Sequence, residues 1–159
     1  MNALPASTLS ATLQAHPALM GIKMIIAPNA GSADNGVVTV ASAHSGATTV
    51  ERFQALIRER GLTLFACIDF SGDAGRAGLA LPFSQLVIFG NPKAGTPLMQ
   101  YAPTAALDLP LKVLVWEDAD SRAWLSFNST DYLRERHALP GDLMKPVSGV
   151  AALVDAVAR

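Results

Sequence analysis

The chain of 159 residues holds one cysteine, Cys67. A lone cysteine excludes an intramolecular disulfide framework and any multi-cysteine zinc site, so the chain suits a reducing compartment and the cytoplasm is the expected location. Histidine is scarce as well. His16, His44 and His137 show neither HExxH nor a paired i, i+4 spacing, so a metal centre would have to be assembled across the fold. Half the residues are hydrophobic, yet no uncharged apolar run is long enough to span a bilayer. No charge of one sign dominates either. Twelve basic against thirteen acidic residues leave a formal net charge of -1, without the basic stripe that neutralises nucleic-acid phosphates. Neither a membrane nor a nucleic acid is an expected partner, and neither phosphate-loop pattern, GxxxxGK[ST] or GxGxxG, occurs.

What remains fits a single domain. The first basic side chain is Lys23 and only broken apolar runs precede it, so the charged and apolar regions of a secretory signal are missing. Residues 1–35 read as an extension, disordered or misannotated with Met24 as the true start, and 36–159 as one domain. VVTVASA, Val37 to Ala43, is β-branched and bounded by Asn35-Gly36, which predicts the first strand. Thr48 and Glu51 have the spacing of a capping box. The helix after them would bury Val50, Phe53, Leu56 and Ile57 and stop at Gly61.

Leu62 to Phe70 alternates as a strand, SGDAGRAGL is a Gly-rich connection with room for one helical turn, and Leu86 to Phe89 is a fully apolar strand. A short helix is expected over Thr96 to Tyr101, then strands at Leu111 to Asp118 and Ala123 to Asn128 joined by DADSR. The acids Glu117, Asp118 and Asp120 lack calcium-loop spacing and suit a solvated hairpin turn, across which Trp116 and Trp124 would face each other. Ser129-Thr130-Asp131 offers caps for one helix, and Pro146 or Ser148 can start another whose stripe is Val147, Val150, Ala151, Val154 and Val157. The order predicts an α+β fold of two layers, a mainly antiparallel sheet with helices packed on one face. A doubly wound parallel sheet is the second choice.

The stretches SAHSGATTVERFQALIRERGLTLFACIDF, LVIFGNPKAGTPLM and APTAALDLPLKVLVWED resemble the domain-of-unknown-function family 302 over about Val37 to Leu139. FGNP and AALDLPLKVLVWED are the most specific parts. The resemblance implies a domain similar to the TATA-binding-protein-like arrangement of strand, helix, four strands and helix, paired as a homodimer. It leaves the N-terminal extension and about the last fifteen residues outside.

The distinctive passage is FGNPKAGTPLM, Phe89 to Met99. Gly90, Asn91, Pro92 and Lys93 form either a shaped turn or a cradle for an anion, in which backbone N–H groups and the Lys93 ammonium would meet negative charge. Pro92 and Pro97 remove two donors, which favours the turn. Asp108 lies among apolar neighbours before Pro110; buried there it needs a donor, and it either fixes its loop or serves as a base. His44, Cys67 and Asp69 are the weak metal candidates, since the ends of two parallel neighbouring strands would bring them together. Cys67 otherwise reads as a small buried hydrophobe. The expected function is a non-enzymatic homodimer that binds a small ligand or a protein partner near Phe89 to Met99 and Asp108. The alternatives are an enzyme using Asp108 with Lys93 or Asn91 for acid–base chemistry, and a metal- or cofactor-binding protein; the sequence names no cofactor.

Overall fold

A computed structural model of the chain describes residues 35–159. The expected extension, apart from Asn35, lies outside the described residues. In chain order the elements are β1 Val37–Ala41, α1 Gly46–Glu59, β2 Thr63–Asp69, α2 Phe70–Arg76, β3 Ser84–Gly90 and α3 Pro92–Tyr101. A 3₁₀ helix at Pro103–Leu107 leads to β4 Leu111–Glu117 and β5 Ala123–Asn128. The chain ends with α4 Thr130–Arg136, α5 Gly141–Met144, a 3₁₀ turn at Lys145–Val147 and α6 Val150–Ala158.

The five strands form one sheet in the order β1-β5-β4-β3-β2, and every neighbouring pair is antiparallel. Strand alternation sends one set of side chains to the helices. Val87, Val113 and Phe127 stand in one row across β3, β4 and β5 and are buried, as are Phe89, Val115 and Leu125. Against them α1 lays Val50, Phe53 and Ile57 and α6 lays Val150, Val154 and Val157. Phe53 meets Phe89 edge to face, with ring centroids 5.1 Å apart. Burying each of these side chains contributes about 1.5–3 kcal/mol, so the two-layer core dominates the fold. A second cluster of Leu98, Ala105, Leu133, Leu139, Met144 and Val147 lies under the shorter helices.

The other face of the sheet differs. Ile68, Leu86, Ile88, Leu114, Trp116 and Trp124 are half-buried and belong to neither cluster. The tryptophans pair across the β4–β5 hairpin as the sequence predicts, stacked with centroids 6.2 Å apart. Trp116 Nε1 donates to Ser126 Oγ at 3.0 Å, and Trp124 Nε1 to Asp118 Oδ2 at 2.9 Å.

Several boundaries differ from the sequence expectation for a tertiary reason. The first helix starts before the predicted capping box: Ser45 is its cap, accepting from Thr48 N, and Gly46 N donates to Glu117 Oε1 at 2.7 Å. A carboxylate from the end of β4 therefore satisfies the helix start and complements its dipole. The end at Gly61 agrees with expectation. Gly61 has φ 65, its N–H donates to Arg58 O and Leu62 N–H to Ile57 O, each at 3.0 Å, which is a Schellman motif. The glycine-rich SGDAGRAGL holds a longer helix than one turn because Asp69 caps it, accepting from Gly72 N at 2.9 Å and Ser71 Oγ at 2.7 Å. The last helix begins at Val150 rather than at Pro146 or Ser148, and Ala151 points to solvent.

Two predictions follow from these anchors. A Cβ at Gly46 would fall inside the Phe83 ring, so Gly46→Ala should lower stability by about 1–3 kcal/mol, read as a lower urea midpoint at unchanged m value. The Asp118 carboxyl is held below the usual range, first by the Trp124 indole N–H and then by the Arg122 backbone N–H. Its folded pKa lies below the unfolded value of about 3.9, so its stabilisation is present above that value and lost as pH falls through the folded pKa. The urea midpoint should fall from about pH 4 downward, and Asp118→Asn should flatten that acid limb.

Candidate functional site

The Phe89 to Met99 passage is where β3 becomes α3. Asn91 is extended, with φ -130 and ψ 119, and its side chain caps the helix by accepting from Lys93 N at 2.9 Å. Asn91 O takes the N–H groups of Ala94 and Gly95, both at 2.9 Å. Pro92, at the first helical position, has no N–H to offer. The N–H groups of Lys93, Ala94 and Gly95 at the helix start are thus already bonded within the turn. Lys93 is exposed without an ion pair among the described residues.

The turn nonetheless walls a groove of about 240 Å³. Phe65, displaced outward where the β2–β3 register shifts, stands on one side. Pro92, Met99, Leu109, Pro110 and Leu111 complete a largely carbon surface, with Asn91 and Thr96 as its polar side chains. A Cβ added at Gly95 would meet Leu109 Cδ1 and Met99 Cε at 3.9 Å, an ordinary contact that needs no neighbour to move. A neighbouring groove of about 370 Å³ runs past Arg60, Leu62, Pro146, Gly149 and Leu153. Gly90, Leu111 and Val147 line both.

Asp108 follows the 3₁₀ helix and turns toward α4. Its Oδ2 lies 2.6 Å from His137 Nε2 and 3.5 Å from Arg136 Nε. The other ring nitrogen, Nδ1, lies 3.0 Å from Thr104 Oγ1. This chain of contacts ties the 3₁₀ helix to the end of α4 through a buried imidazole, and it supplies the donor that an apolar setting demands of Asp108. No hydrogen bond or ion pair joins Asp108 to Asn91 or Lys93 among the described residues. His137 is the residue that sequence reasoning left unassigned. The available signal was Asp108 itself, which required a partner without saying which.

The expected meeting of His44 with Asp69 is overturned by topology. β1 and β2 do run the same way, but they occupy opposite edges of the sheet, about 19 Å apart across four strand spacings. His44 Nε2 contacts Arg159 O at 2.9 Å, and Asp69 is committed to its helix cap. Cys67 is exposed rather than buried, and partial desolvation pushes its thiol pKa up, away from the reactive thiolate. Among the described residues no group of three His, Cys, Asp or Glu side chains is placed to hold a metal.

The family described as Domain of unknown function DUF302 matches residues 38–157. The chain belongs to DUF302. The match reaches Val157 in α6, so all but two of the last fifteen residues lie inside the family and not outside it as the resemblance first implied. A DUF302 protein of uncharacterised function from Bacillus stearothermophilus has a crystal structure that superposes with a TM-score of 0.64 at 14% identity, covering 78% of this chain and 96% of that one. It supports the α+β fold. "Fluoride-specific ion channel FluC 1" of Brucella suis biovar 1 (strain 1330) is 46% identical over 112 residues, 70% of this chain and 44% of that protein. "Fluoride-specific ion channel FluC 2" of Brucella melitensis biotype 1 is likewise 46% identical over 112 residues, covering 42% of its length. The chain therefore spans less than half the length of these curated relatives. No helix among the described residues is long and apolar enough to cross a membrane.

The clasp makes a sharp contrast with the turn. His137→Ala should cost about 2–3 kcal/mol, because it strips a nearly buried carboxylate of its short partner, whereas Lys93→Ala should stay within about 0.5 kcal/mol. Urea titrations of the two variants beside the parent measure both.

Proposed function

We propose that this DUF302 domain is a homodimeric binding module of the cytoplasm that takes a small, largely apolar ligand in the groove between the β3–α3 turn and Leu109–Leu111. The observation that carries this reading is the groove itself. Gly90, Asn91 and Pro92, from the passage most specific to the family, form its wall, and a concave, mostly carbon surface with few polar groups is the usual form of a small-molecule site. Asp108 acts here as the clasp that holds the Leu109–Pro110 wall in place, and ligand contact is left to its neighbours.

The dimer rests on the uncovered face of the sheet. Five strands at about 4.8 Å spacing make a surface roughly 24 Å wide, and Ile68, Leu86, Ile88, Leu114, Trp116 and Trp124 on it are only half-buried. Such an area of contiguous apolar side chains fits half of a standard interface. A second reading comes from the Brucella relatives: the domain serves a fluoride channel as a companion module. Disrupting the gene should then raise sensitivity to fluoride, and unchanged growth under fluoride would sink that reading.

Native mass spectrometry of freshly purified protein tests the main proposal, with a dimer and a retained small molecule as the expected result. Leu114→Glu should give a monomer at micromolar concentration. Gly95→Leu should leave the fold intact while filling the groove and weakening the retained ligand's binding by at least about tenfold. A monomeric parent, or a ligand indifferent to Gly95→Leu, counts against it.

A further inference from the structure

The groove beside the β3–α3 turn adjoins its neighbour, and Gly90, Leu111 and Val147 line both. The two hold about 240 and 370 Å³, so together they fall within the volume range of sites for drug-sized ligands. Their charge is one-sided. Among the described residues Arg60 is the only charged one that lines either groove, and no carboxylate of theirs lines them.

Arg60 caps the end of α1, where the Schellman bonds already satisfy the helix carbonyls through backbone N–H groups of Arg60, Gly61 and Leu62. Its guanidinium makes no ion pair and no side-chain hydrogen bond among the described residues. Residues next to the lining in sequence carry both signs, with Glu59 before Arg60 and Asp108 before Leu109 among them. Lys93 follows the lining Pro92 and Lys145 precedes the lining Pro146, and both are exposed and outside every ion pair of the described residues.

From this juxtaposition we infer that the ligand is a carboxylate amphiphile, a chain of methylene groups ended by a carboxylate, with its alkyl part in the two grooves and its head group on Arg60. The inference rests on the ligand-binding reading above and narrows it to one chemical class. An apolar tail matches Phe65, Met99, Leu109, Pro110 and Leu153. A planar carboxylate matches the fork of a guanidinium, which binds it through two parallel hydrogen bonds. An alkyl cation would meet Arg60 with like charge, and a neutral alcohol would leave the guanidinium without a counter-charge.

The test uses the full chain and isothermal titration at low salt with decanoate, 1-decanol and decyltrimethylammonium. Decanoate should bind at least about tenfold more tightly than the alcohol, as a charge-assisted contact requires, and the cation more weakly than either. Arg60→Gln should erase the preference for the acid while leaving the alcohol's affinity unchanged, and Arg60→Lys should restore part of it. Added salt should shrink the preference, since Arg60 is exposed. Equal binding of acid and alcohol by the parent, or a preference that survives Arg60→Gln, overturns the carboxylate assignment. If the alcohol still binds and Gly95→Leu still weakens it, the apolar groove stands without that assignment. Failure of all three probes to bind overturns the groove as well.

Discussion

The contact of Phe53 with Phe89 fixes the rest of the structure around it. Both rings are fully buried, one at the middle of α1 and the other at the last core-facing position of β3. Their edge-to-face packing seats the helix on the sheet in one register, and a pair of this kind adds about 0.5–1.5 kcal/mol to the burial of its area. Because Phe89 cannot move, Gly90 and Asn91 leave the sheet at a set place and angle. The cap formed by the Asn91 side chain then sets the start of α3, and with it the wall of the groove.

The larger groove lies at the seam between two hydrophobic clusters, with Leu62, Phe89, Val150 and Leu153 from the first and Val147 from the second. Leu111 packs against both, and Val147, a member of the second, lines both grooves. A cleft at such a seam survives because each wall belongs to a separately packed unit, so that collapse would require one cluster to give up its own contacts. The Asp108–His137–Thr104 clasp serves the same end by tying the segment before Leu109 to α4. Glu117 does so at the opposite end of the sheet, holding the start of α1 from β4. These polar ties join elements far apart in the chain, and no buried side-chain nitrogen or oxygen among the described residues is left without a partner.

The kinship with the Bacillus stearothermophilus DUF302 structure has the same physical basis. At 14% identity few side chains are shared, yet the arrangement is retained with a TM-score of 0.64. Cores accept many substitutions of similar volume, so one arrangement can be kept at such low identity. The Brucella relatives, at 46% identity over 112 residues, are more than twice as long as the stretch that this chain matches.

The sequence by itself determined the elements whose signals are local. The apolar run of Leu86 to Phe89, the strand at Ala123 to Asn128, the i, i+3, i+7 stripe of Val50, Phe53 and Ile57, and the glycine stop at Gly61 each depend on neighbours within a turn or a strand, and each stands in the structure. The facing tryptophans were legible too, because a short hairpin fixes its own register. Only the tertiary structure decided the helix start at Gly46, the partner of Asp108 and the distance between His44 and Asp69. Those outcomes depend on where Glu117, His137 and β1 arrive after the chain has crossed the sheet. A local pattern specifies what a segment buries, while strand order and distant side chains decide which segment it is buried against, and the FGNPKAGTPLM turn became a groove wall through that second kind of constraint.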